Sequence, residues 1–375
     1  MSYKTYLYEP LLGKDEKKFV HDCLQSNWIS SKGKYISKFE KKFSKFLNIR
    51  YSLSVSNGTA ALHLALLALN LKKSDEIIVP TFTYISPVNA IKYINSKVKF
   101  LDSNLDTWQI DINQLEKNIS KKTKAIIVPH LYGQMCDIQK LKRICRIKKI
   151  FLIEDCAEAF GCYYKKKHLG TFGDISTFSF FGSKTITTGE GGMVCTNNKQ
   201  FAERIYKLKM VGVVKDRYYW HDIIGYNYRM TNICAAIGLG QLKIAKNILK
   251  KKKIVFNNYK YYLKNVNIKM NKEFPHTKSS FWLINIFVNN KKTRDGLAKY
   301  LKKNKIETRN TFNPVHKMPM YKNISKRKIF SNANTLSDTG LSLPSGPSLK
   351  KGEIKNICNL VINYLGKSYF RKILP

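Results

Sequence analysis

Acidic residues are scarce in this chain: 25 Asp and Glu stand against 67 Lys and Arg among 375 residues, a formal net charge of +42. An imbalance of that size is the electrostatic footprint of nucleic-acid binders. Here the lysines are spread over almost every helix-like stretch, and the densest run, Lys250 to Lys253, follows a long helical segment. Lys, Asn, Ile and Tyr are abundant together, which points to compositional drift of the source. A basic nucleic-acid-associated protein is the contrasting class, and no nucleic-acid partner is expected. The expected consequence of the charge is a positive field that draws in small anionic substrates.

Long apolar runs are also missing. None approaches the roughly 18–20 residues that cross a bilayer, and MSYKTYLYEPLLGKDEKKFV is broken by charges where a secretory signal would be apolar. A soluble cytoplasmic protein with no membrane partner is expected. The eight cysteines include no CxxC pair, which argues against a disulfide framework and against a zinc site, so no metal is expected. Internal repeats and Pro- or Gly-rich linkers are absent too. The length fits one large domain, residues 1–250, and a smaller C-terminal domain, residues 251–375.

What remains is regular. KDEKKFVHDCLQS (14–26) places Phe19, Val20, Cys23 and Leu24 on one helical face, and ISKFEKKFSKFL (36–47) does the same with Ile36, Phe39, Phe43 and Phe46. SLSVS then reads as a strand, TAALHLALLALN (59–70) as an apolar helix, and EIIVP, VKFLD, AIIVPH and KIFLIEDC as short strands. A helix from Asp137 to about Ile147 falls between the last two. Short apolar strands alternating with helices describe an α/β fold around a buried parallel sheet. DISTFSFF and GMVCTN add two strands, and a long helix spans about Met230 to Val255. ETRNTFNPVHKMPMY and LSLPSGPS read as loops of the smaller domain.

Three stretches carry chemistry. In SNGTAAL (56–62) a strand ends, Asn57-Gly58 turns, and Thr59 opens a helix whose N-terminus can seat a phosphate; an ordinary N-cap is the simpler alternative. In IEDCAEAFG (153–161), Asp155 falls at the C-terminal end of an apolar strand, where open α/β sheets bind ligands, with N-capping again the alternative. In FSFFGSKTITTGEGG (178–192), Lys184 projects from an irregular segment. Taken singly it would be one more surface lysine; partly desolvated, it is a nucleophile and base. Phosphate seat, strand-end carboxylate and loop lysine, in that order, are the three fixed points of a pyridoxal 5'-phosphate site.

With those residues in view, the chain resembles the DegT/DnrJ/EryC1/StrS family of pyridoxal phosphate-dependent nucleotide-sugar aminotransferases. The resemblance is carried by SNWISSKGKYISKFE, SVSNGTAALHLAL, VPTFTYISPVNAI, PHLYGQMCDI, IEDCAEAFG, GTFGDISTFSFFGSKTITTGEGGMV and GYNYRMTNICAAIGLGQL, spread between Ser26 and Leu242 in the family's order. It implies the aspartate-aminotransferase type I fold: a mostly parallel seven-stranded sheet, a smaller C-terminal α/β domain, and a homodimer with shared active sites. It implies Lys184 as the Schiff-base lysine and Asp155 as the partner of the ring nitrogen. Gly58, Thr59 and Ser179 match its phosphate binders, and Asn227 of GYNYR matches one supplied by the other subunit. Tyr84 takes the place of the aromatic that stacks on the cofactor ring, core packing being the alternative.

Glu158 matches the residue beside the cofactor's phenolic oxygen; to donate a hydrogen bond there it must hold a proton or act through water. A lysine where one branch of the family has His favours transamination over sugar 3-deoxygenation. The implied reaction moves an amine from L-glutamate, through pyridoxamine phosphate, to C4 of a nucleotide-linked 4-keto-6-deoxyhexose used in polysaccharide (O-antigen) biosynthesis. The resemblance is greatest to members acting on GDP-4-keto-6-deoxymannose, with UDP- or dTDP-linked sugars as the alternative. Trp28, Arg309 and His316 are candidate substrate contacts, a satisfied loop histidine being the alternative for the last. Asn310 and Asn313 stand where the family has Pro and an aromatic.

Overall fold

A computed structural model describes residues 3–214, 216–324, 328–366 and 369. Two helices, α1 (Lys14–Gln25) and α2 (Lys34–Leu47), precede the first strand, β1 (Tyr51–Val55). There follow α3 (Gly58–Ala68), β2 (Glu76–Pro80), α4 (Ser86–Tyr93), β3 (Lys97–Leu101), α5 (Ile112–Asn118), β4 (Thr123–Pro129), α6 (Ile138–Lys148) and β5 (Phe151–Asp155). A small hairpin, β6 (Tyr163–Tyr164) and β7 (Lys167–His168), leads into β8 (Ile175–Ser179), β9 (Gly192–Thr196) and α7 (Lys199–Lys209).

These strands form a seven-stranded sheet in the order β1-β9-β8-β5-β4-β2-β3. Only β9 runs against the rest, pairing antiparallel with both β1 and β8. The remaining pairs, from β8 through β5, β4 and β2 to β3, are parallel. A parallel sheet is covered on both faces, so its strands need no polar side. EIIVP shows this directly: Ile78 joins the core beneath α2, α6 and the start of a long helix, α8 (Asn232–Tyr262), while Ile77 and Val79 join the core beneath α3, α4 and α7.

The amphipathic helices depart slightly from the pattern read in sequence. On α2 the buried line is Tyr35, Phe39, Phe43 and Leu47, strict i,i+4 spacing, and Ile36 and Phe46 lie at its margins. On α1, Leu24 is exposed and Glu16 is buried instead. Glu16 is tolerated because its carboxylate accepts from Gly13 N at 2.9 Å and from Gln241 Nε2 at 2.6 Å. All eight cysteines are free thiols, and all but Cys234 are buried.

The C-terminal part adds β10 (Lys269–Met270), β11 (Thr277–Lys278), β12 (Ile284–Phe287), α9 (Lys291–Lys303), β13 (Arg309–Asn310), α10 (Ser331–Thr339), β14 (Gly340–Leu343) and α11 (Lys351–Leu365). A four-stranded antiparallel sheet, β10-β12-β14-β13, has its own apolar core with α9, α11 and the last turns of α8; β11 instead pairs with β6. The sequence reading is corrected at three points here. The long helix runs on to Tyr262, and the Leu341–Leu343 stretch of LSLPSGPS is strand β14, too short to show alternation and masked by Pro344. Arg309 and Asn310 likewise pair with β14 as an edge strand. No helix among the described residues is long and apolar enough to cross a membrane.

Candidate active site

Because β1, β2, β4, β5 and β8 are parallel, their C-terminal ends meet at one edge of the sheet, where ligands bind in this architecture. A cavity of about 720 Å³ opens there. Eight of the residues singled out in sequence line it: Gly58, Thr59, Tyr84, Asp155, Glu158, Ser179, Lys184 and Arg309. Asp155 is the last residue of β5 and Ser179 the last of β8.

The helix α3 starts at the cavity wall. Asn57, its N-cap, turns its side chain inward to accept from Ala60 N at 2.8 Å. Gly58 packs on the end of β8, so close that a Cβ there would lie 2.9 Å from Ser179 Cβ. That contact brings a helix N-terminus and a serine hydroxyl to one spot, a seat for a phosphate. Thr59 Oγ1 pairs with Ser86 Oγ at 2.8 Å, which ties α3 to α4.

Lys184 lies in the turn after β8, its N–H donating to Phe181 O at 2.9 Å. Its side chain is 15% exposed, and Nζ stands 3.9 Å from Glu158 Oε1. Burial lowers the amine's pKa, while the carboxylates of Glu158 and Asp155 oppose that. Asp155 is pushed up by burial and held back by the Ala157 N–H, at 3.1 Å, and by Lys184. A buried carboxylate with one backbone donor still lacks a full counter-charge. A protonated pyridine nitrogen would supply it. Together with the amine, the phosphate seat and a cavity of this size, these residues fit pyridoxal 5'-phosphate.

Glu158 accepts from Tyr132 N at 2.7 Å, and burial raises its pKa to about 7 against the pull of Lys184. A carboxyl poised there can hold the proton that its position requires. Its acceptor geometry is set by strain: Tyr132, buried, sits in the left-handed region at φ 56°. An acid whose folded pKa exceeds its unfolded value stabilises the fold fully below about 4.5 and loses that contribution as pH rises through about 7. Glu158→Gln keeps the acceptor without the titration. The variant apoprotein should lose less thermal stability between pH 5 and pH 8 than the parent, by on the order of 1–3 kcal/mol. Parallel stability curves would contradict this assignment.

The remaining three residues lie elsewhere. Trp28 is exposed on the α1–α2 connection, where its carbonyl accepts from Asn232 Nδ2 at 2.7 Å. Asn227 is exposed and accepts from Arg229 Nε at 2.9 Å. His316 pairs its Nδ1 with Thr81 Oγ1 at 2.7 Å and packs against Phe330, pinning the C-terminal segment to the end of β2.

Sequence reasoning missed the aromatic wall. Trp282 stacks on Tyr132, and Tyr132 stacks on Phe312, with ring centroids 6.2 and 5.4 Å apart. Tyr84 reaches the same Phe312 at 5.9 Å. The cavity also borders His130, whose Nε2 meets the buried Glu154 at 3.1 Å. His130, Glu154 and Cys156 form the one cluster of metal-ligand types among the described residues. Glu154 already accepts the N–H groups of Gly170, Phe172 and Gly173, and burial keeps the Cys156 thiol protonated, so the cluster is a poor metal site.

The fold and this cavity define a pyridoxal phosphate-dependent aminotransferase of fold type I. The chain belongs to the DegT/DnrJ/EryC1/StrS aminotransferase family, whose profile matches residues 10–362. It is 49% identical over 357 residues to GDP-perosamine synthase of Escherichia coli O157:H7, covering 95% of this chain and 97% of that one. Identity to the GDP-perosamine synthase of Vibrio cholerae is 45% over 360 residues, 96% and 98% of the two chains. Among solved structures, the PLP-form of a putative sugar aminotransferase from Streptococcus pneumoniae superposes with a TM-score of 0.91 at 25% identity, over 97% and 98% of the chains. The protein is therefore a sugar aminotransferase that uses pyridoxal 5'-phosphate.

Proposed function

We propose that the enzyme aminates C4 of GDP-4-keto-6-deoxymannose, with L-glutamate as donor, to give GDP-perosamine. The observation that carries this is the near full-length similarity to two enzymes of that name. When bound, the cofactor supplies an aldehyde that joins amines and a ring that withdraws electrons from the carbon being deprotonated. Asp155 holds the proton on the ring nitrogen, and Gly58, Thr59 and Ser179 seat the phosphate. Tyr84 covers the ring. Lys184 would hold the cofactor covalently, and its freed Nζ would serve as the base for the donor's Cα proton and as the acid that gives it back. Glu158, whose pKa burial raises to about 7, would donate to the phenolic oxygen in its protonated form.

The same reading makes Arg309, at the mouth of the cavity, a contact for the nucleotide's diphosphate, and gives Trp28 and His316 substrate-side roles. It makes the active unit a cytoplasmic homodimer in which Asn227 serves the partner's phosphate seat; its exposure and its place outside its own cavity support that. It divides the chain into a cofactor-binding domain, 1–250, and a small domain, 251–375, in keeping with the separate C-terminal core. O-antigen synthesis is the proposed setting. An amination assay across GDP-, UDP- and dTDP-linked 4-keto-6-deoxyhexoses tests the substrate. GDP-4-keto-6-deoxymannose should lead in kcat/KM by about 100-fold or more; a UDP- or dTDP-sugar in first place would overturn the assignment.

A further inference from the structure

We infer that Trp282 is the electrostatic partner of the Lys184 amine, its indole face stabilising the ammonium form whenever the lysine is not joined to the cofactor. The inference rests on the role given to Lys184 above. Nζ stands 3.9 Å from the centroid of the Trp282 ring, as close as it stands to Glu158 Oε1. A cation over an indole face is held by the ring's quadrupole, most strongly where water is excluded. Trp282 is 5% exposed.

The indole is also held by two contacts and the Trp282 backbone by a third. Its Nε1–H donates to Ser183 O at 2.7 Å, the carbonyl immediately before the lysine. Its own carbonyl accepts at 3.0 Å from the buried Lys252, which donates to Ser345 O at 3.1 Å as well. Tyr132 stacks on it with planes 10° apart. A tryptophan needed only to fill space would not require its orientation relative to Lys184 to be fixed so firmly.

The charged groups that face the amine are Glu158, Asp155 and Arg309. The two carboxylates titrate and are committed to other partners in the working site; the arginine repels. The indole differs from all three. It favours the ammonium without ever accepting its proton, so Lys184 can hold a proton between taking it and returning it.

Isosteric fluorination tests this, because fluorine drains the indole face while leaving its shape and hydrogen bond intact. The full chain would be produced with tryptophan, or with mono-, di- or trifluorinated tryptophan, and stripped of cofactor. The rate at which saturating pyridoxal 5'-phosphate is captured, read by absorbance, requires the neutral amine and so reports its ionisation across pH. Borohydride reduction and peptide mapping locate the captured cofactor. Each added fluorine should move the capture profile to lower pH, by roughly half to one unit for the most fluorinated protein. The Trp282→Phe protein, which keeps the three other tryptophans, should show no fluorine dependence. Cofactor trapped on a different lysine would overturn both the role of Lys184 and this inference. Cofactor on Lys184 with a profile indifferent to fluorine, or a fluorine effect that survives Trp282→Phe, would overturn the inference alone.

Discussion

Lys184→Ala should cost about 10³-fold or more in amination rate while leaving the chain folded. Lys184 is the one lysine among the described residues lining the cavity, in a protein with dozens of others at its surface. Its side chain is 15% exposed and its amine faces two carboxylates and an indole, so no surface lysine can substitute for it by moving. In the role proposed for Lys184, removing the amine removes both the covalent anchor and the group that moves the proton, and these losses compound. Lys184→Arg separates charge from chemistry: guanidinium keeps the positive charge but stays protonated and is no nucleophile, so it should be as inactive as alanine. Steady-state amination and borohydride trapping followed by peptide mass mapping check the result. Turnover within tenfold of the parent in either variant, or cofactor trapped on another lysine in the parent, would refute the assignment.

Two of the residues proposed to hold the cofactor, Asp155 and Ser179, were legible because each ends a strand of the buried sheet. EIIVP and KIFLIEDC betray themselves by short apolar runs, and DISTFSFF by its β-branched and aromatic residues; a polar residue at the end of such a strand has few packing reasons to be there. Asp155 and Ser179 are of that kind, and Lys184 follows within five residues of Ser179. The faces of α1 and α2 were read a residue off, since Glu16 is buried by a specific pair of donors that periodicity cannot show.

Trp282 was illegible for a different reason. FWLINIFV is apolar but for Asn285, and Phe281 and Leu283 on either side are as buried as the tryptophan. Which of them faces the amine depends on how the C-terminal segment packs across the turn after β8, a contact about a hundred residues distant along the chain. Tyr132 hid equally well. Its left-handed backbone, which aims an N–H at Glu158, is enforced by tertiary packing and not by its own residue type. Strand ends can be read locally; the second layer around them cannot.

Asp155→Asn should lower the amination rate by about 10²–10⁴-fold, since removing one partner of a buried charge pair costs about 3–5 kcal/mol and each 1.36 kcal/mol is tenfold in rate. The substitution keeps the shape and an oxygen to accept from Ala157 N. What it removes is the charge that, in the proposed role, would keep the ring nitrogen protonated. In the apoprotein the same charge is a burden, because burial raises the carboxyl's pKa and one backbone donor only partly compensates. The variant's cofactor-free thermal midpoint should therefore be no lower than the parent's, while its catalysis collapses. Those opposite directions separate the two meanings a buried aspartate can have. An N-cap or a purely structural carboxylate would lose stability on replacement and leave the chemistry largely intact. A drop in apoprotein stability with activity retained within tenfold would return Asp155 to that structural role.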